Sequence, residues 1–288
     1  MADLDLRLVR YFTVVADHRH FGRAAAELRI AQPSLSRQVR RLEDQIGARL
    51  LDRTPQGTRL TEAGEGFLPR AKALLRSAGQ ACAQARAAAT PSRLAIGYTM
   101  SIIVTPAVRE LRRLHPEAEV RVTHLDFRQA RSDLLDHRVD ALVTRLPLRS
   151  EGLHVTILYD EPRAVLVARD HRLADREFVT LADIADEPLP RLSDPDYNAF
   201  WHIDPRPDGS KAPDGPLIES LEDKFELIAD GKVVSIVPEG AQQGRPDIVA
   251  IPLRGVDPVP VVLATRAGDN RRLLAAFRKC AEATLTGE

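Results

Sequence analysis

The 288-residue sequence is poor in cysteine and in aromatic residues. Its two cysteines, Cys82 and Cys280, are separated by most of the chain, a spacing that indicates neither a disulfide framework nor a metal site. Both are expected to be free thiols. Aromatic residues make up only 5% of the chain and Trp201 is the single tryptophan, so any local cluster of aromatic residues is informative.

Long apolar runs and the signatures of common enzymes are also missing. No stretch reaches the roughly 18 uninterrupted apolar residues of a membrane span, and the N-terminus lacks the pattern of a secretory signal. We therefore expect a cytoplasmic protein. There is no nucleophile elbow, phosphate-binding loop or pair of metal ligands, and His115 and His171 lie in charged, turn-like segments. The sequence predicts no catalytic residue, metal or cofactor.

The formal net charge of zero hides an asymmetry along the chain. Residues 1–90 carry 15 Lys and Arg against 9 Asp and Glu, so the remaining residues carry 26 against 32. A basic N-terminal part joined to an acidic body is typical of proteins in which only the basic part meets nucleic acid.

Residues 20–61 have the pattern of a helix, a tight turn, a second helix and a basic hairpin, which is the order of a winged helix-turn-helix. The second helix is predicted over 33–46, because Pro33 suits a first helical position and Gly47 suits the stop. Its buried stripe is predicted to consist of Leu35, Val39, Leu42 and Ile46.

The opposite side of this second helix suits phosphates and base edges, and its first turn is the part that a recognition helix places in the major groove. The predicted DNA contacts are Arg23, Gln32, Pro33, Ser34, Ser36, Arg37, Arg40 and Arg53. An ordinary solvated helix would show the same stripe. The short turn over 29–32 and the basic hairpin over 49–61 favour DNA binding instead.

Further residues extend this pattern: Leu8 to Phe12, Phe21, Arg23 to Ala25, Ala31 to Gln38, Leu42, Glu43, Gly47, Leu50, Arg53 and Leu60 to Gly64. On these residues, the first ~90 positions resemble the N-terminal domain of the LysR-type transcriptional regulators; the rest of the chain resembles that family only in general layout. Where the family usually has Ser or Thr at the start of the first motif helix, this chain has Gly22, which is predicted to cap it.

One long helix is predicted from Thr61 to about Ala89. A heptad seam of mostly small residues runs along it, formed by Phe67, Ala71, Leu74, Ala78, Ala81, Ala85 and Ala88. The resemblance implies that this helix pairs with its twin in a dimer. Packing on its own domain is the alternative, against which no adjoining apolar run is evident. Pro69 is expected to bend the first turns.

Strand and helix patterns alternate over the rest of the chain, which predicts parallel α/β sheets with helices on both faces. The predicted strands are 94–98, 120–124, 141–144, 164–168, 233–237 and 259–265, and the predicted helices are 105–114, 128–135, 220–229 and 270–283. The resemblance implies a periplasmic-binding-protein-like domain of two subdomains.

The expected organisation has three parts. A winged helix-turn-helix DNA-binding domain spans 1–60, a linker helix spans 61–90, and an effector-binding regulatory domain spans 91–288. Within the regulatory domain, subdomain I covers about 91–160 and 261–288, and subdomain II covers about 161–260.

Ligands of open α/β sheets bind beyond the carboxyl ends of the strands. Thr99, Met100 and Ser101 follow the first strand and are predicted to begin the next helix, whose amino end favours a carboxylate. A merely capping Ser101 fits equally well. After the second strand, Phe127 stands where the family often has paired hydroxyl residues, which predicts a more apolar pocket. Arg145 follows the third strand, where it binds an anion or pairs with Asp140.

Residues 193–201 concentrate aromatic surface in the second subdomain, and aromatic side chains often line small-molecule pockets. Ser193, Tyr197 and Trp201 are the predicted effector contacts, although ordinary core packing explains the rings equally well.

The resemblance implies a regulator that binds promoter DNA as a homodimer or homotetramer, interacts with RNA polymerase and responds to a small carboxylate or aromatic metabolite. Two alternatives remain open: a ligand-independent DNA-bending protein, and an enzyme built on the C-terminal α/β domain.

Overall fold

The computed structural model describes residues 4–54, 57–89, 92–241 and 245–287. The chain divides into two compact units, Met1–Ala89 and Thr90–Glu288. No helix among the described residues is both long and apolar enough to cross a membrane.

The first unit has the predicted order of helix, turn, helix and hairpin. Its elements are α1 (Leu6–His18), α2 (Phe21–Glu27), α3 (Gln32–Ile46), β1 (Leu51–Thr54), β2 (Gly57–Leu60) and α4 (Glu62–Ala89). Helix α3 ends as expected at Gly47, whose φ of 77° lies in the left-handed region that favours glycine. Leu35, Val39 and Leu42 are buried, so the predicted stripe forms the core side of α3.

The start of α2 differs from the prediction. The N-cap is His20, whose Nδ1 accepts hydrogen bonds from the backbone N–H of Gly22 and of Arg23 at 3.0 and 3.2 Å. A Cβ atom on Gly22 would lie 2.9 Å from His20 Cε1. Gly22 is therefore not the cap; it leaves space for the imidazole that replaces a hydroxyl cap.

Helix α4 continues through Pro69, and its first half packs on its own unit. Ala71 is buried, and the ring of Phe67 lies 5.5 Å from that of Phe12. The expectation that nothing adjoins this helix in cis was wrong for this half. Further along the seam, Leu74 is 39% exposed and Ala81 and Ala85 are exposed. The side chain of Ala88 lies outside the described residues.

The second unit contains two larger sheets and their helices. Its elements are β3 (Arg93–Thr99), α5 (Thr105–Leu114), β4 (Glu119–Leu125), α6 (Phe127–Leu135), β5 (Ala141–Arg145), β6 (Leu153–Glu161), β7 (Arg163–Ala168), β8 (Leu189–Arg191), α7 (Pro195–His202), β9 (Asp214–Leu217), α8 (Leu221–Ala229), β10 (Ser235–Pro238), β11 (Ile248–Pro252), β12 (Val259–Arg266) and α9 (Arg272–Thr284). All of the predicted strands and helices are present.

The first sheet has the strand order β4-β3-β5-β12-β6 and the second has the order β10-β7-β11. The chain passes from the first sheet to the second between β6 and β7, and it returns between β11 and β12. Helices α5 and α9 cover the apolar core of the first sheet, in which Phe277 is fully buried. Helix α8 packs against the second sheet through Ile228.

The prediction of purely parallel sheets was wrong. Strand β3 is parallel to β4 and β5, but β12 is antiparallel to both β5 and β6. In the second sheet, both neighbours of β7 are antiparallel to it. Strand β12 returns to the first sheet after the whole of the second sheet has formed, and it inserts between β5 and β6 in the opposite direction.

Candidate functional site

The exposed side of α3 forms the candidate DNA surface. Gln32, Pro33, Arg37 and Arg40 are exposed there, and Ser34 and Ser36 are half-buried. Arg23 is exposed on the preceding helix α2. The ion pairs among the described residues of this unit join His18 to Glu27 and Lys72 to Asp17. Within that described part, the arginines of α3 therefore have no carboxylate partner, and their charge is available to phosphates.

Hydrogen bonds fix the hairpin beside this helix. The carboxylate of Glu43 in α3 accepts from the backbone N–H groups of Leu50 and Leu51 at 2.8 and 3.1 Å. The backbone N–H of Thr58 donates to the carbonyl of Arg19 at 2.9 Å. Arg53 pairs with Thr58 in the two-stranded ladder, but its side chain lies outside the described residues.

A second site lies where β3 and β5 end in the second unit. Thr99 is buried and shares a 2.8 Å hydrogen bond with the hydroxyl of Thr144. Met100 follows with a φ of 49°. The next helix begins only at Thr105, with Val104 as its N-cap. Exposed Ser101 therefore neither caps this helix nor lies at its amino end, and that prediction was wrong.

Arg145 forms an ion pair that the sequence did not predict. Its side chain is 4% exposed and holds the carboxylate of Glu161 through two hydrogen bonds of 2.5 and 3.0 Å. Asp140, the expected partner, instead accepts from Arg266 and Arg271. The charge of Arg145 is thus already balanced by a carboxylate from the same sheet, which weakens its prediction as an anion site.

Helix α7 carries the aromatic residues of the second site. Asp194 caps it by accepting from the backbone N–H groups of Asp196 and Tyr197, and Ser193 before the cap is exposed. The rings of Tyr197 and Trp201 are 6.0 Å apart, and the ring of Phe127 in α6 lies 5.0 Å from Tyr197. The predicted aromatic residues therefore form one row that joins α6 to α7.

Polar contacts join the same two parts of the unit. The guanidinium of Arg128 in α6 donates to the carbonyl of Glu219 at 2.5 Å. That of Arg149 donates to the carboxylate of Asp196 in α7 at 2.9 Å. Together with the contact of Phe127 and Tyr197, these bonds link the elements packed on the first sheet to those packed on the second.

A cavity of ≈ 40 Å³ that is partly open to solvent adjoins Tyr197. Its lining contains three of the predicted effector residues, Met100, Tyr197 and Trp201, together with Pro190, Leu192, Asn198, Ile218, Lys224, Ser235, Ile236, Val237 and Pro238. Thr99, Ser101, Phe127, Arg145 and Ser193 are not among the lining residues. A larger open groove of ≈ 440 Å³ also adjoins α7, but its Arg191 and Asp214 already form an ion pair.

Lys224 was not among the residues predicted for this site. In the segment Leu221–Ala229 it stands among acidic residues that indicate a solvated helix, yet Lys224 is only 9% exposed. Burial lowers its pKa from 10.5 to about 8. Burial likewise raises the pKa of Tyr197 above its usual value. The described residues contain no group of His, Cys, Asp and Glu that is able to hold a metal ion.

Two family models match the chain. Residues 6–65 match the bacterial regulatory helix-turn-helix protein of the lysR family, and residues 87–286 match the LysR substrate binding domain. The second match alone covers more than half of the chain. The two matches correspond to the two compact units described above.

Named relatives agree with these matches. The chain is 37% identical over 193 residues to the uncharacterized HTH-type transcriptional regulator YnfL of Escherichia coli, an alignment that spans 65% of each protein. The alignments with YnfL and with AlsR of Bacillus subtilis thus span less than two thirds of those relatives. The chain is 31% identical to the small neutral protease regulatory protein of Streptomyces coelicolor, over 96% of this chain and 85% of that protein.

Solved structures show a similar fold. Full-length CbnR complexed with its target DNA aligns with a TM-score of 0.55 and 26% identity, over 97% of this chain and 99% of that one. A point mutant of full-length BenM aligns with a TM-score of 0.54 and 25% identity, over 96% and 95%. YnfL, AlsR and CbnR are named as transcriptional regulators. The chain belongs to the LysR family of transcriptional regulators.

Proposed function

We propose that this protein binds promoter DNA through α3 and the hairpin, and that a small molecule bound between the two halves of the second unit controls it. The observation that carries the proposal is the exposed side of α3, where Arg37 and Arg40 have no carboxylate partner among the described residues. A solved relative, CbnR, is described in complex with its target DNA. We assign DNA binding to 1–60, dimerisation to 61–90 and effector binding to 91–288.

The predicted effector residues support a binding site to different degrees. Met100, Tyr197 and Trp201 line the cavity, and Phe127 contacts Tyr197. Thr99 does not line the cavity and is proposed only to support the neighbouring Met100 through its hydrogen bond with Thr144, while exposed Ser101 and Ser193 are proposed as rim contacts. Arg145 is proposed to set the charge around Tyr197 rather than to bind the effector directly.

The assembly and location follow from this role. We propose a homodimer or homotetramer, contact with RNA polymerase at the promoter, and a cytoplasmic location with the DNA. Ala81 and Ala85 are exposed on α4, which supports pairing of two such helices, because small side chains permit a close approach. A ligand-independent DNA-bending protein is the second candidate, but such a protein has no ligand to balance the buried charge of Lys224.

Replacing Arg37 with Ala is expected to weaken binding to the specific DNA site by about 1–3 kcal/mol if the guanidinium contacts a base edge. Gel-shift titration of wild type and variant at several salt concentrations measures this. Arg76→Ala in α4 removes the same charge from the same unit and is the matched control. Wild-type affinity of Arg37→Ala, or an equal loss in Arg76→Ala, would contradict the assignment of α3.

Replacing Ala78 with Glu is expected to turn the dimer into a monomer and to abolish specific DNA binding. Ala78 is half-buried in the seam of α4, and a carboxylate there adds both charge and volume to a close helix contact. Light scattering measures the mass, and Trp201 emission reports whether the second unit stays folded. A variant that remains dimeric places the interface elsewhere.

A further inference from the structure

Lys224 is a buried cation without a counter-charge. It lies on α8 and is 9% exposed, and none of the described carboxylates pairs with its ammonium group. The ammonium nitrogen lies 5.2 Å from the centre of the Phe225 ring. That contact recovers only part of the cost of removing a charge from water. Ionisable groups perturbed by burial beside a pocket cluster at functional sites, so Lys224 is a candidate binding residue.

The side chains that line the cavity beside Lys224 carry no negative charge. The Nε1 of Trp201, which also lines it, is buried and finds no acceptor among the described residues. The side chain of Ser235, a third lining residue, is buried as well. The amide of Asn198 is occupied by the backbone of Leu192, at 2.9 and 2.7 Å. Because no lining residue is an Asp or a Glu, the missing partner is an acceptor that carries negative charge.

The rest of the lining is apolar. Tyr197 and Trp201 supply aromatic surface, and Met100, Pro190 and Ile218 supply aliphatic surface. Such walls favour an apolar or aromatic body on the ligand. The volume of ≈ 40 Å³ holds about three ordered waters. A larger ligand therefore extends towards the side of the cavity that is open to solvent.

We propose that Lys224 anchors the effector and that the effector is a small carboxylate with an apolar or aromatic body. The ammonium group binds the carboxylate, and Tyr197 and Trp201 contact the body. This inference rests on the function proposed above and adds the ligand class and the anchoring residue. It moves the anion site from the end of β3, where Ser101 was predicted to bind it, to α8.

The assignment also gives a pH dependence. The ammonium form must be present for charge-assisted binding, and burial lowers the pKa of Lys224 to about 8. Tyr197 is the other titratable residue that lines the cavity, and burial raises its pKa, so it stays neutral. Carboxylate affinity is therefore expected to fall as the pH rises above about 8.

The test follows Trp201 emission of the full-length protein at pH 7 during titration with benzoate, acetate, uncharged benzamide and cationic benzylamine. Benzoate is expected to change the emission in a saturable way, with benzamide and benzylamine weaker by roughly tenfold or more. Lys224→Met is expected to lose the same factor. Lys232→Met is the matched control, because Lys232 is exposed at the end of α8 and pairs with Asp230.

Three results would overturn the proposal: equal binding of benzamide and benzoate, unchanged benzoate affinity of Lys224→Met, or no saturable response of wild type to either carboxylate up to about 10 mM. A gel shift on the same preparations separates this failure from that of the regulator. Specific DNA binding with any of these three results rejects the Lys224 anchor and leaves the regulator standing. If Lys224→Met loses carboxylate binding but the wild-type protein shows no specific DNA binding, the role of Lys224 as anchor stands and the regulatory function is rejected.

Discussion

Replacing Glu161 with Gln is expected to lower the unfolding free energy of the second unit by about 3–5 kcal/mol, because it leaves the buried guanidinium of Arg145 without its counter-charge. The two side chains are 4% and 15% exposed and share two hydrogen bonds. The Nη1 of Arg145 already has no partner among the described residues, so few groups remain to compensate for the lost carboxylate. Urea unfolding followed by Trp201 emission measures the change.

Two further variants distinguish a buried pair from a general effect of removing charge. Glu110→Gln makes the same chemical change in the more exposed pair with Arg113, and it is expected to leave the unfolding midpoint within error. Arg145→Met combined with Glu161→Leu removes both charges and is expected to recover most of the loss. A Glu161→Gln protein as stable as wild type would show that water reaches the pair.

Replacing Lys224 with Met is expected to stabilise the second unit by about 3 kcal/mol at pH 7. Burial lowers the pKa of Lys224 from 10.5 to about 8, and one pKa unit corresponds to ~1.4 kcal/mol. The folded protein holds at neutral pH a charge that its surroundings disfavour, and methionine removes that cost at similar length. A loss of stability at a residue that binds a ligand is a recurrent trade-off at functional sites.

The pH dependence of this gain has a definite sign. Because the folded pKa lies below the unfolded one, the unfolded chain binds more protons between about pH 8 and 10.5. The gain from Lys224→Met is therefore full below about pH 8 and disappears as the pH rises to 10.5. Urea unfolding at pH 7, 9 and 10.5 is expected to show this decline. A Lys224→Met protein less stable than wild type at pH 7 would indicate a packing or hydrogen-bonding role instead.

Helices whose ends carry residues typical of helix starts and stops were predicted at nearly their observed bounds. Helix α3 begins with a proline in its first turn and ends with Gly47, and α5 was predicted at its observed bounds, 105–114. Strand β6 was missed because it lies at the edge of its sheet, where polar residues are interspersed along its length. Helix α7 was missed although Asp194 caps it and Pro195 stands in its first turn, which are both signals of a helix start.

The candidate site depended on contacts between distant parts of the chain. The sequence indicated Trp201 and Tyr197 as an aromatic cluster, and both line the cavity. Nothing local pairs Arg145 with Glu161, because strand β12 lies between their strands in the sheet. Lys224 has the sequence surroundings of a solvated residue, and only packing against the second sheet buries it. Burial and pairing of charges are properties of the folded unit.

The most direct test of the account is a nuclease footprint of the full-length protein on DNA selected from a random pool, with and without the carboxylate that binds best. We expect a protected site with dyad symmetry, absent with Arg37→Ala, whose pattern changes on addition of the carboxylate. With Lys224→Met, the site is expected to remain protected but no longer to respond. A pool without an enriched sequence, or a site that Arg37→Ala protects as well as wild type does, would contradict it.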